Sequence, residues 1–134
     1  MARDGVTVFE GSRRYLQACE TAGVRRVVVS SSANTRLVLE VTGLAPLVEA
    51  RVDGETASAQ HLKGKPAPDT FLAGAAAVGL PAASCAVFED ALAGVEAGRA
   101  GAFGHVIGVD RVGHRDALLA HGADVVVDDL AELL

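Results

Sequence analysis

The sequence predicts an α/β fold: a Rossmann-like parallel sheet sandwiched by helices. Three observations predict it. Short Val-rich runs alternate with stretches of helical period. The runs are apolar at successive residues, as strands covered on both faces are. Glycines stand where the helical stretches should stop, at Gly23, Gly43 and Gly79.

Taken in order, Ser12–Thr21 reads as a helix closed by Gly23. Arg25–Ser30 reads as a strand buried on both faces, and Ser32 caps a helix over Ala33–Thr42. A helical turn at Ala45–Glu49 leads into a weak strand at Ala50–Val52. The polar stretch Gly54–Gly64 is predicted as a loop. Pro68 suits the first turn of a helix that runs to Val78. Cys85–Phe88 is a strong strand, followed by a helix over Ala91–Ala100. Gly94 and Gly98 stand four apart in that helix, so one flat face can lie close on the sheet. His105–Val109 is a strand, Arg115–His121 a helix, Asp124–Val127 a strand and Leu130–Leu134 a last short helix.

Composition narrows the functional classes. With 17 acidic against 12 basic residues the chain carries a net charge of -5, which argues against a general nucleic-acid binder. No run reaches the roughly 18–20 apolar residues of a membrane span. The mean hydropathy of +0.32 therefore signals a well-filled core. The first residues lack the apolar centre of a secretion signal. The 134 residues are expected to form one core domain over 1–134, cytoplasmic, with Cys19 and Cys85 as buried free thiols.

In an open parallel sheet ligands bind beyond the carboxyl ends of the strands, so the polar residues there are weighed first. Ser30, Ser31 and Ser32, with Asn34 close behind, offer hydroxyls and free N–H groups at a helix start, which suits an anion. Ser32 is equally an ordinary cap. Lys65 lies in Gly64-Lys65-Pro66-Ala67-Pro68-Asp69, where two prolines stiffen the turn and can hold its charge toward a phosphate. The plain alternative is a solvated lysine. Glu89-Asp90 ends an apolar strand, and two adjacent carboxylates suit Mg²⁺, which takes few protein ligands. Here the alternative is an exposed acidic pair capping the next helix. Together the three segments describe a site for a phosphorylated, metal-bridged ligand. The four histidines show no metal-ligand spacing, and Arg111 is expected to pair with Asp110 or Asp116.

Three segments in this order resemble the haloacid dehalogenase superfamily: Val27–Asn34, Gly64–Asp69, and Val87–Val95 with Ala97-Gly98. They look most like its β-phosphoglucomutase-type phosphatases and mutases, and the likeness runs nearly end to end. The resemblance implies that Ser30 binds phosphate through its hydroxyl, that Ser31 offers its N–H and that Asn34 assists. It implies that Lys65 neutralises the transferring phosphoryl group. It implies that Glu89 and Asp90 hold Mg²⁺, and that the ligand is a small phosphorylated metabolite of sugar-phosphate type.

One part of the family pattern is missing. The family opens on Asp-x-Asp-Gly-x-x-x-Thr, whose first Asp is the nucleophile and whose second is the general acid/base. Here Ala2-Arg3-Asp4-Gly5-Val6-Thr7 mimics it only superficially, with Ala2 at the nucleophile position. The resemblance implies that the central strand between those ending at Ser30 and Phe88 is absent, and with it the cap domain. Mg²⁺ affinity is then expected to be weak or lost, and the chain alone inactive. Those two strands should pair directly, leave a hydrophobic edge open, or receive a dimer partner or complementing chain. The competing readings are a non-catalytic phosphate-sensing module and one half of a split phosphatase.

Overall fold

The computed structural model describes residues 10–30 and 35–134. The chain runs α1 (Glu10–Ala22), β1 (Val27–Val29), α2 (Thr35–Thr42), a 3-10 turn (Ala45–Leu47), β2 (Ala50–Val52), α3 (Gly54–Ala59) and α4 (Asp69–Ala77). A second 3-10 turn (Ala82–Ser84) precedes β3 (Ala86–Glu89), α5 (Leu92–Ala100), β4 (His105–Val109), α6 (Arg115–His121), β5 (Val125–Val127) and a closing 3-10 turn (Leu130–Leu133). Gly23, Gly43 and Gly79 stand at positive φ behind α1, α2 and α4, the left-handed stop that a glycine adopts at no steric cost.

Every strand pairing is parallel, but the strands form two sheets. β1 pairs with β2, Val27 opposite Ala50 and Val29 opposite Val52. β3 pairs with β4, and β4 with β5, giving the order β3-β4-β5. Direct pairing of β1 with β3, one of the expected outcomes, does not occur.

Strand alternation sorts the core into two layers. Val95, Leu118 and Ala123 from the α5–α6 side close on Val106 and Val126. Phe71 of α4 and Ala97 of α5 close on Val87, with Val29 against them. On the opposite face Ile107, Val109 and Val127 pack with Phe88 and Leu130, and the Tyr15 ring of α1 lies 5.3 Å from that of Phe88. The glycine pair of α5 permits this close approach. A Cβ at Gly98 would lie 3.1 Å from the Val106 side chain and 3.3 Å from that of Val87. No described helix is long and apolar enough to cross a membrane.

Three expectations need correction. Residues 54–59 are helical because Asp53 caps them, its carboxylate accepting from Thr56 N. Val27–Val29 are half-buried rather than buried on both faces, since one edge of β1 opens onto a cavity. Cys19 and Cys85 are free, as expected, but half-buried, because both line that same cavity.

Candidate functional site

Lys65 and Glu89 are brought together by the chain's own turns. Lys65 stands in the proline-stiffened turn before α4, and Glu89 is the last residue of β3. Lys65 Nζ donates to Glu89 Oε2 at 2.7 Å. Its ammonium also lies 4.9 Å from the centroid of the Phe71 ring, within cation–π range. Both side chains are largely withdrawn from solvent, at 24% and 12% exposure, so the contact is screened less than a surface pair. Glu89 Oε1 meanwhile accepts from the backbone N–H of Asp90 at 3.1 Å and of Ala91 at 3.3 Å. The carboxylate is thus held on both oxygens.

Gly94 makes room for that carboxylate, since a Cβ there would overlap the Glu89 side chain. Asp90 projects outward, exposed, and among the described residues its carboxylate has no partner. Its backbone carbonyl meets His114 Nε2 at 3.2 Å. His114 belongs to a turn organised by Asp110, whose Oδ1 accepts from the N–H of Val112, Gly113 and His114. These bonds, that of His114 foremost, hold the Asp110 carboxyl below its usual range. The β4 turn therefore braces the β3 turn.

Ser30 lies on the same rim. Val29, its neighbour, packs with Val87 against Phe71 in the first turns of α4, and Lys65 lies just before that helix. The carboxyl ends of β1 and β3 therefore face the α4 entry from two sides. Ser30 N donates to Val52 O at 2.8 Å, which extends the β1–β2 ladder by one bond. Ser31 and Asn34, expected to complete the anion pocket, lie outside the described residues, as does Ser32.

The donor set bears on a metal ion. Among the described residues no cluster of three or more His, Cys, Asp or Glu side chains is assembled. Mg²⁺ is commonly held by one or two carboxylates, with water and phosphate oxygens completing its shell. An outward Asp90 next to a fixed Glu89 fits that demand.

Sequence reasoning missed two residues near this rim. Asp53 follows β2 directly, where the strand-end rule should have flagged it, and is followed by a Thr at its capping position. It is buried at 3% exposure and accepts from Thr56 N and Arg51 Nε, both at 2.9 Å. The Thr56 N–H and then the Arg51 guanidinium lower its pKa to about 2. The contact of His114 with Asp90 had no sequence signal, because it depends on where two loops meet. Arg111 donates to Asp128 O and Ser12 Oγ rather than to the expected Asp110 or Asp116.

Known proteins share both the sequence and the fold. A family model for haloacid dehalogenase-like hydrolases matches residues 1–102. The chain is 58% identical over 134 residues to a β-phosphoglucomutase of Mycobacterium bovis, covering 98% of this chain and 51% of that one. It is 36% identical over 132 residues to a trehalose-phosphate phosphatase of Mycobacterium leprae, covering 96% of this chain and 29% of that protein. A HAD family hydrolase from Deinococcus radiodurans R1, solved with bound phosphate and sodium, superposes with a TM-score of 0.83 at 34% identity. That match covers 95% of this chain and 57% of the other. The chain spans about half the length of the mycobacterial mutase. With its strand-end carboxylates, its rigid lysine and this likeness, the chain belongs to the haloacid dehalogenase-like hydrolases.

Proposed function

We propose that this chain carries the phosphate- and metal-binding part of a Mg²⁺-dependent phosphatase or phosphomutase for small phosphate esters of sugar type. The observation that supports it best is Lys65 fixed at 2.7 Å from Glu89, on the strand-end rim that also carries Asp90, whose carboxylate has no partner among the described residues. A lysine held by a carboxylate and an aromatic ring cannot swing into bulk water without losing both. In this reading it is held in place for a phosphoryl group, whose electrostatic stabilisation is the largest contribution such sites make. Ser30, with Ser31 and Asn34, would bind the phosphate oxygens. Asp90 and Glu89 would hold Mg²⁺, which supplies charge to neutralise the phosphoryl oxygens.

The 134 residues contain no Asp-x-Asp pair, so the chain as given does not carry the nucleophile of the family's pattern. The expected behaviour of the chain as given is binding without turnover. The competing reading is a non-catalytic module that senses a phosphorylated metabolite. Supplying an Asp-x-Asp segment in trans separates the two, because only a half-enzyme gains activity. The free thiols fit a reducing, cytoplasmic setting for either. The direct test is hydrolysis of p-nitrophenyl phosphate with Mg²⁺. No turnover is expected from the chain alone, whereas metal-dependent turnover that survives Lys65→Ala and Asp90→Asn would show the site is misassigned.

A further inference from the structure

We propose that His114 is a positioning residue for Asp90, its imidazole fixing the direction in which the Asp90 carboxylate leaves the turn behind β3. The inference rests on the reading of Asp90 as a metal-holding carboxylate, and it names the group that orients it.

Asp90 follows the last residue of β3 and precedes α5, so its peptide groups belong to neither element. Among the described residues each is held by a side chain instead. The N–H donates to Glu89 Oε1 at 3.1 Å, and the carbonyl meets His114 Nε2 at 3.2 Å. A carbonyl only accepts, so Nε2 is the protonated ring nitrogen in this contact. Glu89 restrains Asp90 from the N–H side alone, and His114 supplies the second tie. With both ties in place the Cα–Cβ bond of Asp90 has one direction, and only its side-chain torsions stay free. Mg²⁺ demands near-ideal octahedral geometry, so a carboxylate carried on a wandering backbone would hold it poorly.

His114 is itself anchored well enough to orient another residue. Asp110 Oδ1 accepts from the N–H of Val112 at 3.1 Å, of Gly113 at 2.6 Å and of His114 at 3.0 Å. Gly113, at a φ of 81°, lets that turn close without steric cost. The His114 carbonyl accepts from Leu118 N at 3.1 Å, at the start of α6. Its backbone is thus fixed on both sides, and the ring carries that rigidity across to the end of β3, 24 residues away in the chain. The imidazole makes no capping bond to α6, and Asp110 takes only the backbone N–H of His114. Replacing the side chain therefore removes the bond to Asp90 and leaves the turn and the helix their own contacts.

The experiment titrates Mg²⁺ into the isotope-labelled full chain with inorganic phosphate present, following the amides of Asp90 and Ala91. A second titration adds inorganic phosphate without metal. His114→Ala should weaken Mg²⁺ binding about tenfold while changing metal-free phosphate binding by less than about twofold, as the loss of an outer contact to a metal ligand does. His114→Gln, whose side-chain amide can donate to the same carbonyl, should recover most of that loss. Ring nitrogen shifts of the wild type should show His114 as the Nε2–H tautomer. Equal loss of both affinities in His114→Ala would make the role merely structural and overturn the proposal, as would no recovery in His114→Gln or the opposite tautomer. If Asp90→Asn abolishes Mg²⁺ binding and His114→Ala leaves it unchanged, the metal reading stands and the positioning role alone falls. Unchanged Mg²⁺ binding in Asp90→Asn, or no Mg²⁺ response in the wild type, would remove the metal reading and the proposal with it.

Discussion

Lys65 Nζ stands 2.7 Å from Glu89 Oε2 and 4.9 Å from the centre of the Phe71 ring, so one ammonium is held from two sides. The pair joins the turn before α4 to the end of β3, two segments 24 residues apart in the chain. Because both groups are mostly shielded from solvent, the interaction should be measurable rather than lost to screening. A double-mutant cycle with Lys65→Ala and Glu89→Ala, followed by urea unfolding, should give a coupling of about 1 kcal/mol. Strict additivity would show that the contact does not form in solution.

Gly94 tests the same carboxylate from the other side. A Cβ at this position would overlap the Glu89 side chain. Gly94→Ala should therefore act by displacing Glu89 from Lys65, at a cost of about 1–3 kcal/mol. Combined with Glu89→Ala the two losses should fall well short of their sum, because the smaller side chain removes the clash. Unfolding free energies of the three variants check this.

Asp53 sets the response to acid on the β2 side. Its folded pKa of about 2 lies below the ordinary carboxylate value, so its charged form is the one folding favours. That contribution is fully present above the unfolded value and is lost as pH falls through 4 toward 2. It amounts to roughly 2 kcal/mol. Stability of the wild type should drop over that window by more than that of Asp53→Asn, which has no proton to bind. Asp53→Ala should cost about 1–3 kcal/mol at neutral pH, since it removes the cap of α3 and leaves Arg51 without its carboxylate.

The strands and most helices were legible in the sequence, and the reasons differ from element to element. His105–Val109 and Arg115–His121 match residue for residue, because each is bounded by a breaker and carries an unambiguous pattern. The helix at Gly54–Ala59 escaped notice because it buries nothing and carries no apolar stripe. Only its cap, Asp53, announces it. In the site, Glu89, Asp90 and Lys65 were visible as polar residues at strand ends and on a stiffened turn. Their mutual geometry was not, because the Lys65–Glu89 contact depends on how α4 and β3 pack. The half-burial of Val27–Val29 was likewise hidden, since a both-sided apolar run describes the environment a strand is suited to and not the neighbour it has.

The phosphate reading is tested most directly by titrating inorganic phosphate, with Mg²⁺ present, into the isotope-labelled chain while following backbone amide resonances. The account predicts that shifts concentrate at Ser30, Lys65, Glu89 and Asp90, and that Lys65→Ala weakens binding at least tenfold, equivalent to about 1.4 kcal/mol. Unchanged affinity in Lys65→Ala, or shifts confined to residues away from the carboxyl ends of β1 and β3, would contradict it.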